Sequence, residues 1–312
     1  MTRCRFLMWV FFFMAAHSQL AIGQYSQESV DLALSIKIAD THMHFYGSNG
    51  LEVPEMVAQM DRNNVQWGGG VGTYNGLLHK ILGERYFGFM GDTEFTKVLF
   101  NDGEKGLQNV NHPVFIDMFS LAEKMFLENK TRGFGEIHID NTDTKGSSGK
   151  FIRKIPLDSP VIRQMYAIAN AHRGFVQIHI NKTSDAVRDI KTISQTFPNA
   201  ITILSHCMPR STPNDLKEIF SSTTNVFCEL SGSGYLHGNL RIYTQTGMRS
   251  VWSSLVEEYP ERIMVGSDPC CGLHFKYDEI INTLRTQILA YLKPETIEKV
   301  AYKNAVRVFN LK

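Results

Sequence analysis

The sequence predicts an α/β fold, a single domain whose parallel strands close into a (β/α)8 TIM barrel, and three observations carry that expectation. Eight short apolar runs alternate with amphipathic stretches along the 312 residues. The runs are almost continuously apolar, as strands covered on both faces must be. Five of them end in His, Glu or Asp, and polar residues at strand C-termini gather at one mouth of such a barrel.

The strands are expected over 36–42, 65–71, 86–90, 133–139, 175–180, 201–205, 225–230 and 262–267. Helices are expected between them over 54–63, 114–129, 160–173, 184–197, 213–221 and 248–259, with two more over 276–292 and 294–309 closing the chain. Ser159-Pro160 and Thr212-Pro213 each place a capping hydroxyl before a proline in the first helical turn. Gly174 after Arg173 reads as a helix C-terminal cap. Residues 91–112 and the glycine-rich stretch 140–156 follow strands and read as active-site loops at the mouth. A doubly wound open sheet is the structural alternative, but Gly68-Gly69-Gly70 makes no dinucleotide-binding fingerprint. Trp67, Tyr74, Phe87 and Phe89 read as core or pocket wall.

The N-terminus differs from the rest. Arg3 and Arg5 precede an apolar stretch from Phe6 to Ala16, and Ala21-Ile22-Gly23 follows as a small-residue cleavage site. Residues 1–23 are therefore expected to be a signal peptide cleaved before Gln24, leaving 24–312 as the barrel domain, exported to the periplasm or secreted. The apolar stretch is short for a membrane span, and no stable membrane anchor is expected. The whole chain carries a formal charge of +1; losing Arg3 and Arg5 leaves 30 bases against 31 acids. Such a balance argues against a nucleic-acid partner or a polybasic membrane anchor; the partner expected is a small-molecule substrate, with a homo-oligomer compatible. Four cysteines remain after cleavage, Cys207, Cys228, Cys270 and Cys271, and they allow three full pairings. Their spacing is that of structural cysteines, not of a zinc ribbon. Asn129-Lys130-Thr131 and Asn181-Lys182-Thr183 fit the glycosylation sequon.

The chemistry begins with Asp40-Thr41-His42-Met43-His44. Alternate residues of a strand share a face, so two imidazoles two residues apart can grip one ion, zinc, iron, nickel or cobalt. Asp40 lies deeper on the same face. Downstream, Glu136 and His138 share a face of the fourth strand, while His179, His206 and Asp268 end the fifth, sixth and eighth. Any one of these alone has a bland structural explanation; the ordered series points to a metal site. His138, His237 and His274 are expected at the mouth as substrate contacts only. His79, His112 and His172 read as surface residues. Arg153, Lys154 and Arg210 are candidates to pair a substrate carboxylate, each with a solvated-charge alternative.

With these residues the chain resembles the amidohydrolase superfamily, in its amidohydrolase-related branch of TIM-barrel metal-dependent hydrolases. The motifs are Asp40-Thr41-His42-Met43-His44, Gly135-Glu136-Ile137, Gln177-Ile178-His179, Leu204-Ser205-His206-Cys207 and Val265-Gly266-Ser267-Asp268-Pro269, with a closing helix at Asn304–Leu311. The resemblance implies His42, His44, His179 and Asp268 as metal ligands and Glu136 as a ligand or the bridge between two ions. It implies His206 either as a ligand of a second ion or as an acid/base and hydrogen-bond donor. Two-metal relatives often carry a carboxylated lysine where Glu136 stands, so one or two divalent ions are expected, zinc foremost. The implied activity is hydrolysis of a small lactone, ester or amide by activated water, with Asp268 and His206 as the catalytic pair. Non-oxidative decarboxylation of an unsaturated or aromatic acid is the alternative, and an inactive exported binding protein a second.

Overall fold

The computed structural model describes residues 26–44, 52–142, 149–231, 242–244, 246–270 and 273–312. The expected signal segment, His237 and Cys271 lie outside them. Three parallel strands, β1 (Ile38–Met43), β2 (Val65–Gly70) and β3 (Tyr86–Phe87), form one run. A second run begins at β4 (Phe89–Gly91) and continues through β5 (Gly133–Asp140), β6 (Phe175–Ile180), β7 (Ile201–Leu204) and β8 (Val226–Glu229). A short antiparallel hairpin, β9 (Tyr243–Thr244) and β10 (Gly247–Met248), precedes β11 (Ile263–Met264), which pairs with β8. Only Gly88 separates β3 from β4, so these two fill one strand position. The remaining seam is stitched by Thr41 N–H to the Val265 carbonyl (3.1 Å) and Asp268 N–H to the His42 carbonyl (2.8 Å). Eight parallel strand positions thus form a closed ring among the described residues.

The helices follow from apolar spacing and caps. They run α1 (Gln27–Ser35), α2 (Val53–Arg62), α3 (Gly76–Leu82), α4 (Asp92–Gly106), α5 (Pro113–Leu127) and α6 (Pro160–His172). After these come α7 (Ser184–Thr196), α8 (Pro213–Ser222), α9 (Ser250–Glu258), α10 (Tyr277–Thr283), α11 (Pro294–Glu298) and α12 (Asn304–Phe309). Thr212 forms a full capping box with Asp215 at the start of α8, as its sequence implies. Ser159 stands at the cap position of α6, but its hydroxyl makes no capping bond. The C-terminal cap of α6 also departs from expectation. Arg173 itself takes the left-handed conformation (φ 54°), and Gly174 is needed for another reason: a Cβ there would lie 2.6 Å from the Phe126 ring.

The stretch 91–112 is not a mouth loop. Most of it is α4, which buries Phe95, Val98 and Leu99 at helical spacing and kinks at Gly103. Of the stretch 140–156, residues 143–148 lie outside the described residues; of the rest, Asp140 and Lys154 pair as an isolated bridge at the end of β5.

Two apolar layers flank the ring. Outside it, Val176, Ile178 and Ile180 of β6 join the larger core cluster with Ile162, Met165 and Ala169 of α6. Inside and toward the strand N-termini, Trp67, Phe87, Phe89, Phe175, Ile203, Phe227 and Met264 pack around Phe309 of α12. The Phe309 ring lies 4.6 Å from that of Phe175 and 4.8 Å from that of Phe87, plugging the bottom of the barrel. Strand periodicity then dictates what lies above. Phe175, Gln177 and His179 share one face of β6, and Phe227 and Glu229 share one face of β8. The interior passes from an aromatic floor to a polar upper layer.

The glycine run of β2 belongs to this tight ring. At Gly70 (φ 95°) a Cβ would lie 2.0 Å from the Thr41 carbonyl oxygen, one strand away. Gly70→Ala is therefore expected to destabilise the protein by about 1–3 kcal/mol, the usual range for overpacking. Equilibrium denaturation of the two proteins measures it; an unchanged midpoint would show that β1 and β2 can separate without cost.

Candidate metal centre

The polar layer is built by strand ends. His42 lies on β1 and His44 one residue beyond it; Glu136 and His138 lie on β5 and His179 on β6. His206 sits in the single turn Ser205–Cys207 after β7, and Asp268 follows β11. All are buried except His138, which is partly so. His206 and Asp268 both hold positive φ, 55° and 51°, conformations costly for residues with a side chain. His206 is kept there by its N–H on the Glu229 carboxylate (3.0 Å), and the disulfide between Cys207 and Cys228 joins the next residue to β8. Gly266 leaves room for His42, since a Cβ there would lie 2.5 Å from the His42 Cβ.

Glu136 is the hub. Its Oε1 lies 3.1 Å from His179 Nδ1 and 3.3 Å from His206 Nε2. Its Oε2 lies 3.4 Å from His42 Nε2 and 3.6 Å from His138 Nε2. Asp268 Oδ1 lies 3.1 Å from His44 Nε2 and 3.6 Å from His42 Nε2, and its Oδ2 is 4.0 Å from His206 Nδ1. The six residues singled out as ligands, His42, His44, Glu136, His179, His206 and Asp268, therefore meet in one cluster.

The donor set fits a divalent ion. His42 Nε2 is buried and has no hydrogen-bond partner, yet it faces carboxylate oxygens at 3.4 and 3.6 Å. Those separations are long for hydrogen bonds. They suit a shared centre instead: ligands about 2.1 Å from a tetrahedral zinc stand about 3.4 Å apart. His42, His206 and Asp268 form one such group, His42, His44 and Glu136 a second, and Glu136, His138 and His179 a third. His138 thus stands among the ligand-type residues as well as at the mouth. His274 is buried close to His44, as expected of a mouth residue.

Electrostatics follow from burial. Burial opposes a charge on His42, but the carboxylates of Glu136, Asp268 and Glu229 outweigh it and raise the imidazole well above its ordinary pKa. Burial likewise opposes ionisation of Glu136, yet His42, His138 and hydrogen bonds from His179 and His206 hold it well below the carboxylate range. Asp268 is lowered too, with His42 and His44 overcoming its burial. Burial drives His138 well below the imidazole range, opposed by Glu136 and reinforced by Arg153 and His179.

Other candidates fall elsewhere. Asp40 points away from the ligands and works as an anchor. It accepts from Ser267 N–H (2.8 Å), Ser267 Oγ, Tyr277 Oη (2.9 Å) and His42 N–H (3.2 Å), and burial raises its pKa despite these bonds. Arg153 is sealed from solvent. It donates to the His138 and Phe151 carbonyls and lies against the Phe151 ring, and burial lowers its pKa to about 10. Its Nη2 is buried without a hydrogen-bond partner, and its charge acts on Glu136 and His138 at the edge of the cluster. Lys154 pairs with Asp140 (3.3 Å), and Arg210 is an exposed turn residue. His112 and His172 pair with Asp102 and Glu123 outside the barrel, and His79 packs on Tyr74 and Tyr86. Asn181 is buried and bonded to Asp140, whereas Asn129 is exposed.

The sequence does not single out Glu229, Ser231 or the role of Gln177. Glu229 offers the same signal as the rest, a carboxylate at a strand's C-terminal end. Its Oε1 lies 2.8 Å from His42 Nδ1, and Ser231 Oγ bridges His42 Nδ1 (3.0 Å) and His206 Nδ1 (2.9 Å). Gln177 Nε2 approaches His42 Nδ1 at 3.3 Å.

Comparison with known proteins bears on this site. A family model described as amidohydrolase matches residues 145–311, more than half of the chain. The chain belongs to the amidohydrolase family. The crystal structure of a probable 2-pyrone-4,6-dicarboxylic acid hydrolase from Acinetobacter baumannii, with citric acid bound, is similar at 13% identity and TM-score 0.56. The match covers 88% of this chain and 100% of that one. An amidohydrolase from Burkholderia multivorans with bound zinc is similar at 15% identity and TM-score 0.51, over 89% of this chain and 100% of that one. At such identities the likeness establishes the fold alone. No curated protein matches.

The lowered carboxylates confer stability above the ordinary carboxylate pKa of about 4, and lose it as pH falls through their folded values. His42 behaves oppositely: its contribution is present below about pH 6.5 and is lost as pH rises through its raised value. His138, lowered, does not titrate in that upper window. Raising the pH from about 6.5 to 9 is thus expected to lower the melting temperature of chelator-treated protein. The slope should shrink in chelator-treated His42→Ala. Equal slopes would mean that the carboxylates do not hold His42 protonated.

Proposed function

We propose that this amidohydrolase-family chain is a metal-dependent hydrolase that cleaves a small lactone, ester or amide. The observation that carries the reading is the unpartnered His42 Nε2, set at tetrahedron-edge distances from Glu136 and Asp268. His42, His44, His179 and Asp268 would hold the ion, zinc foremost, with Glu136 a further ligand or a bridge. A divalent ion bound there supplies Lewis acidity, polarising a carbonyl and acidifying water.

The chain's own groups do the rest. Asp268, held below the ordinary carboxylate range, is ionised at neutral pH and accepts the proton of the attacking water before passing it to the leaving group. His206, fixed by Glu229 and Ser231, donates a hydrogen bond to the developing oxyanion. Burial of the whole cluster keeps bulk water from competing for these bonds.

We infer further that the mature chain begins at Gln24 and works in an oxidising compartment, periplasmic or secreted. The Arg3–Gly23 pattern supports this, as does the buried Cys207–Cys228 disulfide, a bond that persists where thiols are not kept reduced. None of the helices in the described residues is long and apolar enough to cross a membrane.

Metal content of chelator-free protein, measured by plasma mass spectrometry, is expected to be about one or two ions per chain and to vanish in His42→Ala/His44→Ala. Protein free of metal after reconstitution would sink the hydrolase reading. On a panel of lactones, esters and amides, Asp268→Asn is expected to lower kcat by about 10²–10⁴-fold. Release of carbon dioxide from an aromatic or unsaturated acid, with no hydrolysis of the panel, would replace the reading with decarboxylation.

A further inference from the structure

Resting on the metal-centre reading above, we propose that Glu229 is the positioning residue of the centre, fixing the ring of His42 and the backbone of His206 with one carboxylate oxygen. Glu229 Oε1 lies 2.8 Å from His42 Nδ1 and accepts the His206 N–H at 3.0 Å. Its Oε2 accepts the Ser231 N–H at 2.7 Å. The Ser231 hydroxyl then stands 2.9 Å from His206 Nδ1. One side chain thereby links β1, the turn after β7 and the segment after β8.

An ionised carboxylate can only accept hydrogen bonds, so the hydrogen between Glu229 and His42 belongs to His42 Nδ1. A ring with its proton on Nδ1 presents a lone pair at Nε2, the form a metal requires. Nε2 is the nitrogen that faces Glu136 and Asp268. Carboxylate–imidazole pairs of this kind raise the basicity of the ligand and lock its orientation. Gln177 Nε2, at 3.3 Å, is longer and is itself a donor, so it cannot take the Nδ1 proton.

Holding the fold is not a sufficient reason for this carboxylate. β8 is already paired in parallel with β7 on one side and β11 on the other, and both Phe227 and Cys228 are buried. An apolar residue would fill that interior position at lower desolvation cost. What an apolar residue would not supply is an acceptor for three donors, two of which come from ligand residues.

Glu229→Gln keeps the size of the side chain and one acceptor oxygen but removes the charge. Zinc affinity, measured by competition with a chromophoric chelator, is expected to fall about 10–100-fold. The melting temperature of the chelator-treated variant should stay within a few degrees of the wild type, whereas a purely structural role would lower it and leave zinc affinity intact. In zinc-loaded wild type, the His42 Nδ1 proton should give a far-downfield, exchange-protected NMR signal; Glu229→Gln should move it upfield. Equal zinc affinities, or an unshifted Nδ1 proton, would overturn the proposal. If Glu229→Gln does not fold, the wild-type spectrum alone decides: an Nδ1 proton in fast exchange with water overturns it. Wild type that binds no zinc would instead defeat the metal-centre reading itself.

Discussion

Closure of the ring between the first and last strands is the constraint on which the rest depends. Thr41 and Val265 are 224 residues apart in sequence, yet Thr41 donates both its N–H and its hydroxyl to the Val265 carbonyl. Asp40 fastens the same seam, gathering donors from Ser267, Tyr277 and His42 around one buried carboxylate. His42 and His44 come from one side of this seam and Asp268 from the other. A sheet left open there would keep its hydrophobic layers and lose the site. The tight approach of β2 to β1 at Gly70, and the aromatic plug around Phe309, serve the same geometry by fixing the width of the ring.

Within the closed ring, charge is arranged in depth. The floor is mostly aromatic, and among its rings Trp67 sends its indole N–H to the Lys312 carbonyl (2.9 Å); the layer above it holds five imidazoles and the carboxylates of Glu136, Glu229 and Asp268, with Asp40 turned away from them at the seam. Isolated buried charges are prohibitive, and each carboxylate here is met by several donors. The roles divide by depth and by partner. Asp40 meets only hydroxyls and amides and anchors the seam. Glu229 meets an imidazole from behind. Glu136 and Asp268 meet imidazoles from the front, at separations that leave a common centre between them.

Strand positions and ligand types were legible in the sequence because both obey simple rules. A near-continuous apolar run marks β6 at 175–180, the bounds observed, and strand C-termini are where parallel barrels collect polar residues. What the sequence hides is decided by three-dimensional neighbours. Gly103 and Gly106 disguise α4 as a loop, although Phe95, Val98 and Leu99 bury at helical spacing. Glu229 ends its strand as the ligand-type residues end theirs, and what sets it apart, its contact with His42 and His206, is a matter of three-dimensional neighbours. Arg153 reads in sequence as a loop charge, and its burial against His138 and Phe151 is a property of packing. The Cys207–Cys228 pairing follows from the adjacency of β7 and β8, which no cysteine spacing announces.

That disulfide braces two site residues at once. Cys207 follows His206 directly, and Cys228 precedes Glu229. Alternation along β8 turns Cys228 to the face opposite Glu229, into the apolar cluster outside the ring, so its sulfur lies behind the polar layer and not within it. The bond therefore ties the His206 turn to β8 without adding sulfur to the donor set; among the described cysteines, Cys270 is the one grouped with site residues, beside His44 and Asp268. Loss of the disulfide would loosen the backbone that carries His206 and leave the chemistry of the donors unchanged.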